Sequence, residues 1–286
     1  MNQFVRNLVA PIGRRSCLRM LSTSTDQALL VDVKQNVQWI RLNRPKQYNA
    51  ITIPMYERLI QLLNEAANDP KISMVTFTGT GKYFSSGNDL NNFTSMEGMD
   101  YHQTVDYLTE AVRRLVDTFI DFPKPVLGMV NGPAYGIMAT TLALFDTVIA
   151  SDTATFTTPF TALNQSPEGC SSLLFPQILG PSLASEMLLF SRTLSVEDAL
   201  RTGFVSRVLP QDQLESYVEQ LLYEPKKGLA VALYPNAMTS AKSIIRTKTY
   251  KQQLHEVNKN ECEQLTRMMH SDETRQLLNK FINRKK

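Results

Sequence analysis

Residues 84–90 read FSSGNDL, a glycine-bearing turn between a predicted buried strand and a helix start. Two further segments have the same character: residues 130–137 read VNGPAYGI, and residues 165–169 read QSPEG. At such junctions the backbone N–H groups lack intrahelical partners and can face a developing anion. Each segment alone is also an ordinary turn. Asp89 suits the first turn of a helix, and Ser166, Pro167 and Glu168 suit its N-cap, N1 and N2 positions.

Strands and helices alternate around these segments over residues 37–150. Apolar, β-rich runs predict strands at 37–42, 72–78, 125–130 and 147–150, and apolar residues at helical spacing predict helices at 53–67, 107–122 and 136–145. This alternation predicts an α/β fold with a mostly parallel sheet that is covered by helices.

Helices dominate the chain after Gly169. Helical patterns cover residues 171–179, 182–190, 195–202, 211–222, 236–246 and 250–269, and one short strand is predicted at 205–209. No internal repeat, low-complexity tract or Gly/Ser-rich linker divides the chain. We therefore predict one catalytic domain over residues 22–286, whose C-terminal part is helical from about residue 210.

Composition excludes several classes of protein. The 286 residues can bury a sizeable core, and Cys17, Cys170 and Cys262 are odd in number and match no metal-ligand spacing, so we expect free thiols. The net charge of +3 becomes −1 without residues 1–21, which hold four arginines and no acid. Residues 22–286 are nearly neutral, so they lack the concentrated basic face that nucleic-acid binding requires.

The first 25 residues have the composition of a mitochondrial transit peptide: arginines, serines and threonines, no acid, and a short apolar stretch. We predict that residues 1–21 form this peptide, with cleavage before Ser22. A secretory signal is the alternative, but Arg6, Asn7 and Pro11 interrupt the apolar run; a disordered basic tail is a second alternative.

One stretch, residues 126–145, resembles a membrane span. Asn131, Gly132, Pro133 and Gly136 interrupt its middle. A strand, a glycine turn and a buried helix explain it better, so we predict no membrane span.

Three familiar enzyme classes lack their motifs here. The sequence has no Gly-x-Ser-x-Gly elbow, no phosphate loop ending in Gly-Lys-Ser/Thr, and no His-Glu-x-x-His zinc motif. His102, His255 and His270 are scattered over helical segments, where we expect them to be surface or packing residues.

Taken in order, the three glycine segments resemble the enoyl-CoA hydratase/isomerase (crotonase) superfamily over roughly residues 28–285. Supporting pieces are LNRP at 42–45 with Asn49 and Ala50, VTFTG at 75–79, and KPV at 124–126. The resemblance implies a crotonase-like (ββα) superhelix with parallel sheets and a helical C-terminal extension. It also implies an acyl-CoA thioester substrate, no further cofactor and no metal. The C-terminal helices are similar to the family's trimerisation region, which implies a homotrimer, unless they only cover the core.

The same resemblance implies a site. The backbone N–H groups of Asn88 and Ile137 would polarise the thioester carbonyl, and each such donor is typically worth ~3–4 kcal/mol near an enolate-like transition state. The substrate-binding residues implied are Ser86, Gly87, Asn88, Asp89, Leu90, Gly136 and Phe160.

Departures from the hydratase pattern indicate which reaction is catalysed. Thr140 and Phe160 stand where hydratases carry their two glutamates. An acid is found instead at Glu168, in a run that resembles the Δ3,Δ2-enoyl-CoA isomerases of the peroxisomal and mitochondrial type. Glu168 would take a proton from C2 and return one at C4, shifting the double bond of 3-enoyl-CoA to 2-trans-enoyl-CoA in the oxidation of unsaturated fatty acids. A wall containing Phe160 and Leu163 would exclude water and raise the carboxyl pKa.

Two alternatives keep this fold. The chain could be a hydratase, thioesterase or dienoyl-CoA isomerase, or a catalytically silent acyl-CoA-binding subunit. Many relatives carry an N-terminal acyl-CoA-binding domain, for which this chain has no room, and peroxisomal ones end in Ser-Lys-Leu, whereas this sequence ends in Asn283, Arg284, Lys285 and Lys286. Both departures favour the mitochondrial matrix over the peroxisome.

We expect residues 1–25, fused to a reporter protein, to deliver it to the mitochondrial matrix and to be cleaved between Leu21 and Ser22, because the basic, acid-free stretch lies before that point. Fluorescence microscopy and N-terminal sequencing check this. A fusion whose four arginines are replaced by glutamine is the control and should stay in the cytosol. A cytosolic or peroxisomal reporter with the native segment would contradict the prediction.

Overall fold

The structure, a computed structural model, describes residues 27–93, 96 and 98–284. The predicted transit peptide, its cleavage point and Cys17 lie outside these residues. Cys170 and Cys262 are buried free thiols, as the sequence predicts.

The described part of the chain contains nine strands: β1 Leu29–Lys34, β2 Val37–Leu42, β3 Met74–Gly79, β4 Val126–Val130, β5 Ala134–Tyr135, β6 Thr147–Ser151, β7 Thr155–Thr157, β8 Leu194–Ser195 and β9 Arg207–Leu209. Six of them form one sheet in the order β1-β2-β3-β4-β6-β9. Only β1 runs antiparallel to its neighbour; the other pairings are parallel. The predicted mostly parallel sheet is confirmed.

A second, three-stranded sheet is made of β5, β7 and β8. β7 pairs in parallel with β5 and antiparallel with β8. None of these strands is predicted from the sequence, because two or three residues are too few to show an alternating pattern. The antiparallel strand β1 is missed as well. The small sheet matters because β5 leads directly into Gly136, the second glycine of the VNGPAYGI segment.

Eleven α-helices lie within the described residues: α1 Ile53–Asn68, α2 Tyr101–Asp121, α3 Ile137–Thr140, α4 Ser171–Leu179, α5 Pro181–Leu188, α6 Val196–Thr202, α7 Gln211–Tyr223, α8 Leu229–Ala232, α9 Pro235–Ile245, α10 Lys248–Met269 and α11 Asp272–Arg284. Most match the predicted helices closely, whereas α8 and α11 were not predicted. No described helix combines the length and apolar content that a membrane-spanning helix needs.

Two helix boundaries differ from the sequence prediction for local reasons. α2 begins at Tyr101, six residues early, because Asp100 and Gln103 form a capping box in which each side chain accepts the other's backbone N–H. The helix predicted over 136–145 is only the short α3 followed by a 3₁₀ turn. There Thr140 and Thr141 hydroxyls both donate to the Ile137 carbonyl, a pattern that bends helices.

Helices cover both faces of the large sheet, as a parallel sheet requires. On one face Phe77 of β3, Phe119 of α2 and Phe145 form a cluster with ring centroids 5.2–5.6 Å apart. On the other face α7 covers Trp39, whose indole N–H donates to the Tyr223 hydroxyl at 2.7 Å. The edge where β3 and β4 end is therefore held from both sides, and the glycine segments extend from it.

Candidate functional site

The first two glycine segments meet backbone to backbone. The Tyr135 N–H donates to the Ser85 carbonyl at 2.9 Å, and the Phe84 N–H donates to the Pro133 carbonyl at 3.1 Å. Gly87, with φ of 81°, lies so close to the second segment that a Cβ added to it would be 2.9 Å from the Tyr135 oxygen and 3.5 Å from the Gly136 Cα. A residue with a side chain would not fit there.

We call the contact between residues 84–90 and 130–137 the glycine junction. Two backbone N–H groups at this junction have no hydrogen-bond partner among the described residues. On either side of Asn88 the backbone is bound, since Gly87 C=O accepts the Ile51 N–H at 2.8 Å and the Asp89 N–H donates to Ile51 C=O at 2.9 Å. The Asn88 N–H itself donates to no other described residue. The Ile137 N–H does not either, because Ile137 is the first residue of α3. Two free donors therefore lie on abutting segments.

The Glu168 carboxyl lies beside the same junction. A Cβ added to Gly136 would be 3.8 Å from Glu168 Oε1 and 3.8 Å from the Gly87 Cα. Glu168 is only 8% exposed, and its carboxyl oxygens accept no hydrogen bond from the described residues. Burial raises the pKa of Glu168 to about 8, and the nearby Glu261 carboxylate adds to the rise. The group is therefore a buried carboxyl without a fixed partner.

Glu168 does not stand in a helix, contrary to the alternative reading of Ser166, Pro167 and Glu168 as a helix start. Residues 165–168 have no regular secondary structure, and α4 begins only at Ser171. Gly169 and Cys170 between them have φ of 71° and 61°. Because two consecutive left-handed residues cannot continue a helix, the chain turns sharply after Glu168.

A family model described as Enoyl-CoA hydratase/isomerase matches residues 32–286. The chain belongs to the enoyl-CoA hydratase/isomerase family. It is 44% identical to rat (Rattus norvegicus) "Enoyl-CoA delta isomerase 2" over 91% of this chain and 64% of that protein. It is 42% identical to mouse (Mus musculus) "Enoyl-CoA delta isomerase 3, peroxisomal" over 96% of this chain and 83% of that protein.

Solved structures show the same fold. An enoyl-CoA hydratase/isomerase from Pseudoalteromonas atlantica T6c superposes with a TM-score of 0.79 at 29% identity, covering 90% of this chain and 97% of that one. The crotonase-like α/β fold with its helical C-terminal part is thereby confirmed. This family member spans less than two thirds of the length of the rat relative.

The two positions expected to match the hydratase glutamates, Thr140 and Phe160, are buried and uncharged in this family member. Thr140 is fully buried and packs against the turn after Glu168, since a Cβ on Gly169 would be 2.4 Å from its Oγ1. Phe160 is 2% exposed, and its carbonyl accepts the Leu163 and Gln165 N–H groups. No group of acids, histidines or cysteines within the described ranges is arranged to hold a metal.

The remaining predicted substrate-binding residues have structural partners of their own. Asp89 is buried and accepts a hydrogen bond from the Arg44 guanidinium at 2.7 Å. Ser86 is half-buried and donates to the Gln47 carbonyl at 3.3 Å. Leu90 is half-buried at the start of a 3₁₀ turn. The Arg44–Asp89 pair ties the LNRP segment to the first glycine segment.

Sequence reasoning named Asn49 only as part of the family resemblance, and it missed two further residues around this site, Tyr56 and Glu261. Asn49, left-handed and buried, binds the Thr80 and Tyr83 carbonyls. Tyr56 of α1 is buried with no hydrogen-bond partner for its hydroxyl among the described residues, and Glu168 contributes to the raised pKa of that hydroxyl. Glu261 of α10 contacts the turn after Glu168. Only Asn49, next to LNRP, carried a signal in the sequence.

The histidines stand apart from the glycine junction and have partners of their own. His255 Nδ1 lies 2.8 Å from an Asp117 carboxylate oxygen, and the His102 and His270 rings meet edge to face at 4.7 Å.

The raised pKa of Glu168 makes a prediction about stability. Because its folded-state pKa lies near 8, above the ordinary carboxyl value of 4.5, Glu168 contributes stability that is fully present below about pH 4.5 and is lost as the pH rises from there to about 8. Glu168→Gln should therefore lose less stability than the wild type between about pH 5 and pH 8. Urea unfolding at both pH values measures this. Glu256→Gln, on the exposed face of α10, is the control and should behave like the wild type. Equal losses in wild type and Glu168→Gln would contradict a raised pKa.

Proposed function

We propose that this chain shifts the double bond of a 3-enoyl-CoA to give 2-trans-enoyl-CoA, with Glu168 as the base that carries the proton. The observation that carries the proposal is the junction itself: one buried, unpartnered carboxyl beside two abutting segments whose Asn88 and Ile137 N–H groups are free. The similarity to proteins named enoyl-CoA delta isomerase over most of this chain supports it.

The proposed reaction uses these groups in sequence. The thioester carbonyl oxygen accepts hydrogen bonds from the Asn88 and Ile137 amides. The Glu168 carboxylate removes a proton from C2, and the electrons of the broken C–H bond form an enolate whose charge rests on that oxygen. The carboxylic acid then returns a proton at C4, which leaves the double bond between C2 and C3. Each amide donor is worth ~3–4 kcal/mol because the enolate charge is larger than that of the ground-state carbonyl.

The buried, apolar character of the site suits isomerisation better than hydration. Hydration needs a group that activates water and a group that protonates carbon, and Thr140 and Phe160 supply neither carboxylate. Isomerisation needs only one group that gives back the proton it takes. Enclosure also keeps that proton from exchanging with solvent between the two steps.

We extend the proposal to the remaining features expected from the sequence. Residues 86–90, Gly136 and Phe160 line the acyl-CoA site, and no further cofactor or metal takes part. The chain works in the mitochondrial matrix, although the mouse relative is named peroxisomal. It forms a homotrimer through its C-terminal helices. Tyr234, Ile244 and Ile245 at the ends of α9 are 73–80% exposed, which supports an apolar contact there. Light scattering would measure the assembly.

Given a 3-enoyl-CoA, purified residues 22–286 should accumulate 2-enoyl-CoA and little 3-hydroxyacyl-CoA, as resolved by mass spectrometry and chromatography. Glu168→Gln keeps the size of the side chain but removes the base, so turnover should fall on the order of a hundredfold or more. Affinity for a saturated acyl-CoA should be largely kept in this variant. Hydratase turnover comparable to the isomerase rate would contradict the proposed isomerase function. Normal isomerisation by Glu168→Gln would place the base elsewhere.

The role proposed for Ile137 belongs to its backbone N–H, a distinction that a pair of variants can expose. Ile137→Ala keeps the amide and should retain much of the activity. Ile137→Pro deletes the donor at the first position of α3, where proline is tolerated, and should cost at least ~3–4 kcal/mol in kcat/KM. Circular dichroism and binding of a saturated acyl-CoA control for folding. A folded Ile137→Pro protein with near wild-type turnover would rule out this donor.

A further inference from the structure

The loop that carries Glu168 is held by the C-terminal helices. Asn164 donates from its side chain to the Thr274 hydroxyl at 2.9 Å, and that hydroxyl donates back to the Asn164 carbonyl at 3.1 Å. Gln165 donates to the Met269 sulfur at 3.3 Å. Both partners come from helices α10 and α11, about a hundred residues further along the chain. The position of the base therefore depends on a region remote in sequence.

The strongest of these contacts is made by Glu261 of α10. This side chain is only 6% exposed, and it meets the turn directly after Glu168. Its Oε2 accepts the Cys170 N–H at 2.7 Å, and its Oε1 accepts the Ser172 N–H at 2.8 Å. Both oxygens act as acceptors, as in an ionised carboxylate at a helix N-terminus, and these hydrogen bonds oppose the rise in the pKa of Glu261 that burial causes.

Local sequence provides no substitute for this carboxylate. Cys170 stands at the N-cap of α4 and makes no side-chain capping bond. It is left-handed, a conformation that residues with a Cβ disfavour, and Gly169 before it is left-handed too. Without Glu261 the N–H groups of Cys170 and Ser172 would be left without their acceptor in a largely buried region. The turn is held on its other side by Thr140, which packs against Gly169.

We propose that Glu261 is a positioning residue that fixes the turn after Glu168, so that the carboxyl of Glu168 faces the glycine junction. This rests on the proposed function in so far as Glu168 is the base. The hydrogen bonds of Glu261 go to the backbone N–H groups of Cys170 and Ser172, so it acts through the backbone of the turn.

The charge of Glu261 gives this role a second, measurable effect. Among the described residues, three titratable groups interact electrostatically with Glu168: Tyr56 from α1, and Glu261 and Cys262 from α10. In turn, Asp117 and Arg246 act on Cys170, and Asp117 and Arg113 act on Cys262. Among the groups facing Glu168, Glu261 is the like charge that raises the pKa of Glu168. Removing it lowers that pKa, so the acidic limb of the kcat–pH profile should move to lower pH.

Two variants separate position from charge. Glu261→Gln keeps the length but can accept only one of the two N–H groups, and should lower kcat by about tenfold or more with the acidic limb at lower pH. Glu261→Asp keeps the charge but shortens the reach, and should lower kcat while the limb stays closer to its wild-type position. KM should stay within about twofold in both, because the glycine junction is untouched. Glu256→Gln, exposed on the same helix, is the matched control and should match the wild type.

A measurement without substrate keeps this inference separate from the proposed function. In protein labelled with ¹³C-glutamate, the Glu168 carboxyl resonance, assigned by its absence from Glu168→Gln, should titrate at lower pH in Glu261→Gln. The amides of residues 170 and 172 should exchange faster with deuterium. If these changes occur in a protein that has no isomerase activity, the positioning role stands and the proposed reaction fails. If folded Glu261→Gln keeps the wild-type titration, exchange and kcat, the inference is overturned.

Discussion

The close approach of Gly87 to the peptide between Tyr135 and Gly136 is the constraint on which the site depends. Two chain segments from neighbouring parallel strands can come this near only where neither has a side chain in the way, and Gly87 has the positive φ that the turn requires. The result is chemical as well as steric. Each segment bends at its glycine and leaves one N–H without a partner among the described residues, at Asn88 and at Ile137, so the same contact leaves two donors on abutting segments.

A buried carboxyl next to those donors is unfavourable for folding and useful for the reaction. An ionised acid without a hydrogen-bond partner loses much of its hydration, and this raises the pKa of Glu168 to about 8. A base with that pKa is stronger than an exposed carboxylate and remains close enough to neutrality to ionise. The surrounding structure has to hold such a group in place, because the Glu168 carboxyl forms no bond of its own with the described residues. Thr140, Thr274, Met269 and Glu261 supply that support through the backbone and neighbouring side chains of its loop.

Features encoded by local pattern were predictable, and features encoded by distant contacts were not. The strand at Val37–Leu42 and the helix at Ser171–Leu179 were predicted to the residue, because an apolar period is visible within a few residues. The start of α2 was missed because a single capping box, Asp100 with Gln103, outweighs the polar composition of its first turns. The second sheet was missed because β5, β7 and β8 are too short to show a period. Glu261 could not be found, since its contact with Cys170 spans 91 residues.

The two halves of the chain thus contribute different parts of the proposed chemistry. The α/β half, with strands β3 and β4 leading into Gly87 and Gly136, provides the two amide donors that we propose stabilise an enolate. The Glu168 carboxyl group, which we propose moves the proton, lies on a loop that the C-terminal helices hold. In this proposal, the choice between hydration and isomerisation depends on which positions around the pair of amides carry an acid. Thr140 and Phe160 mark two positions where this family member has none, and Glu168 marks the position where it has one.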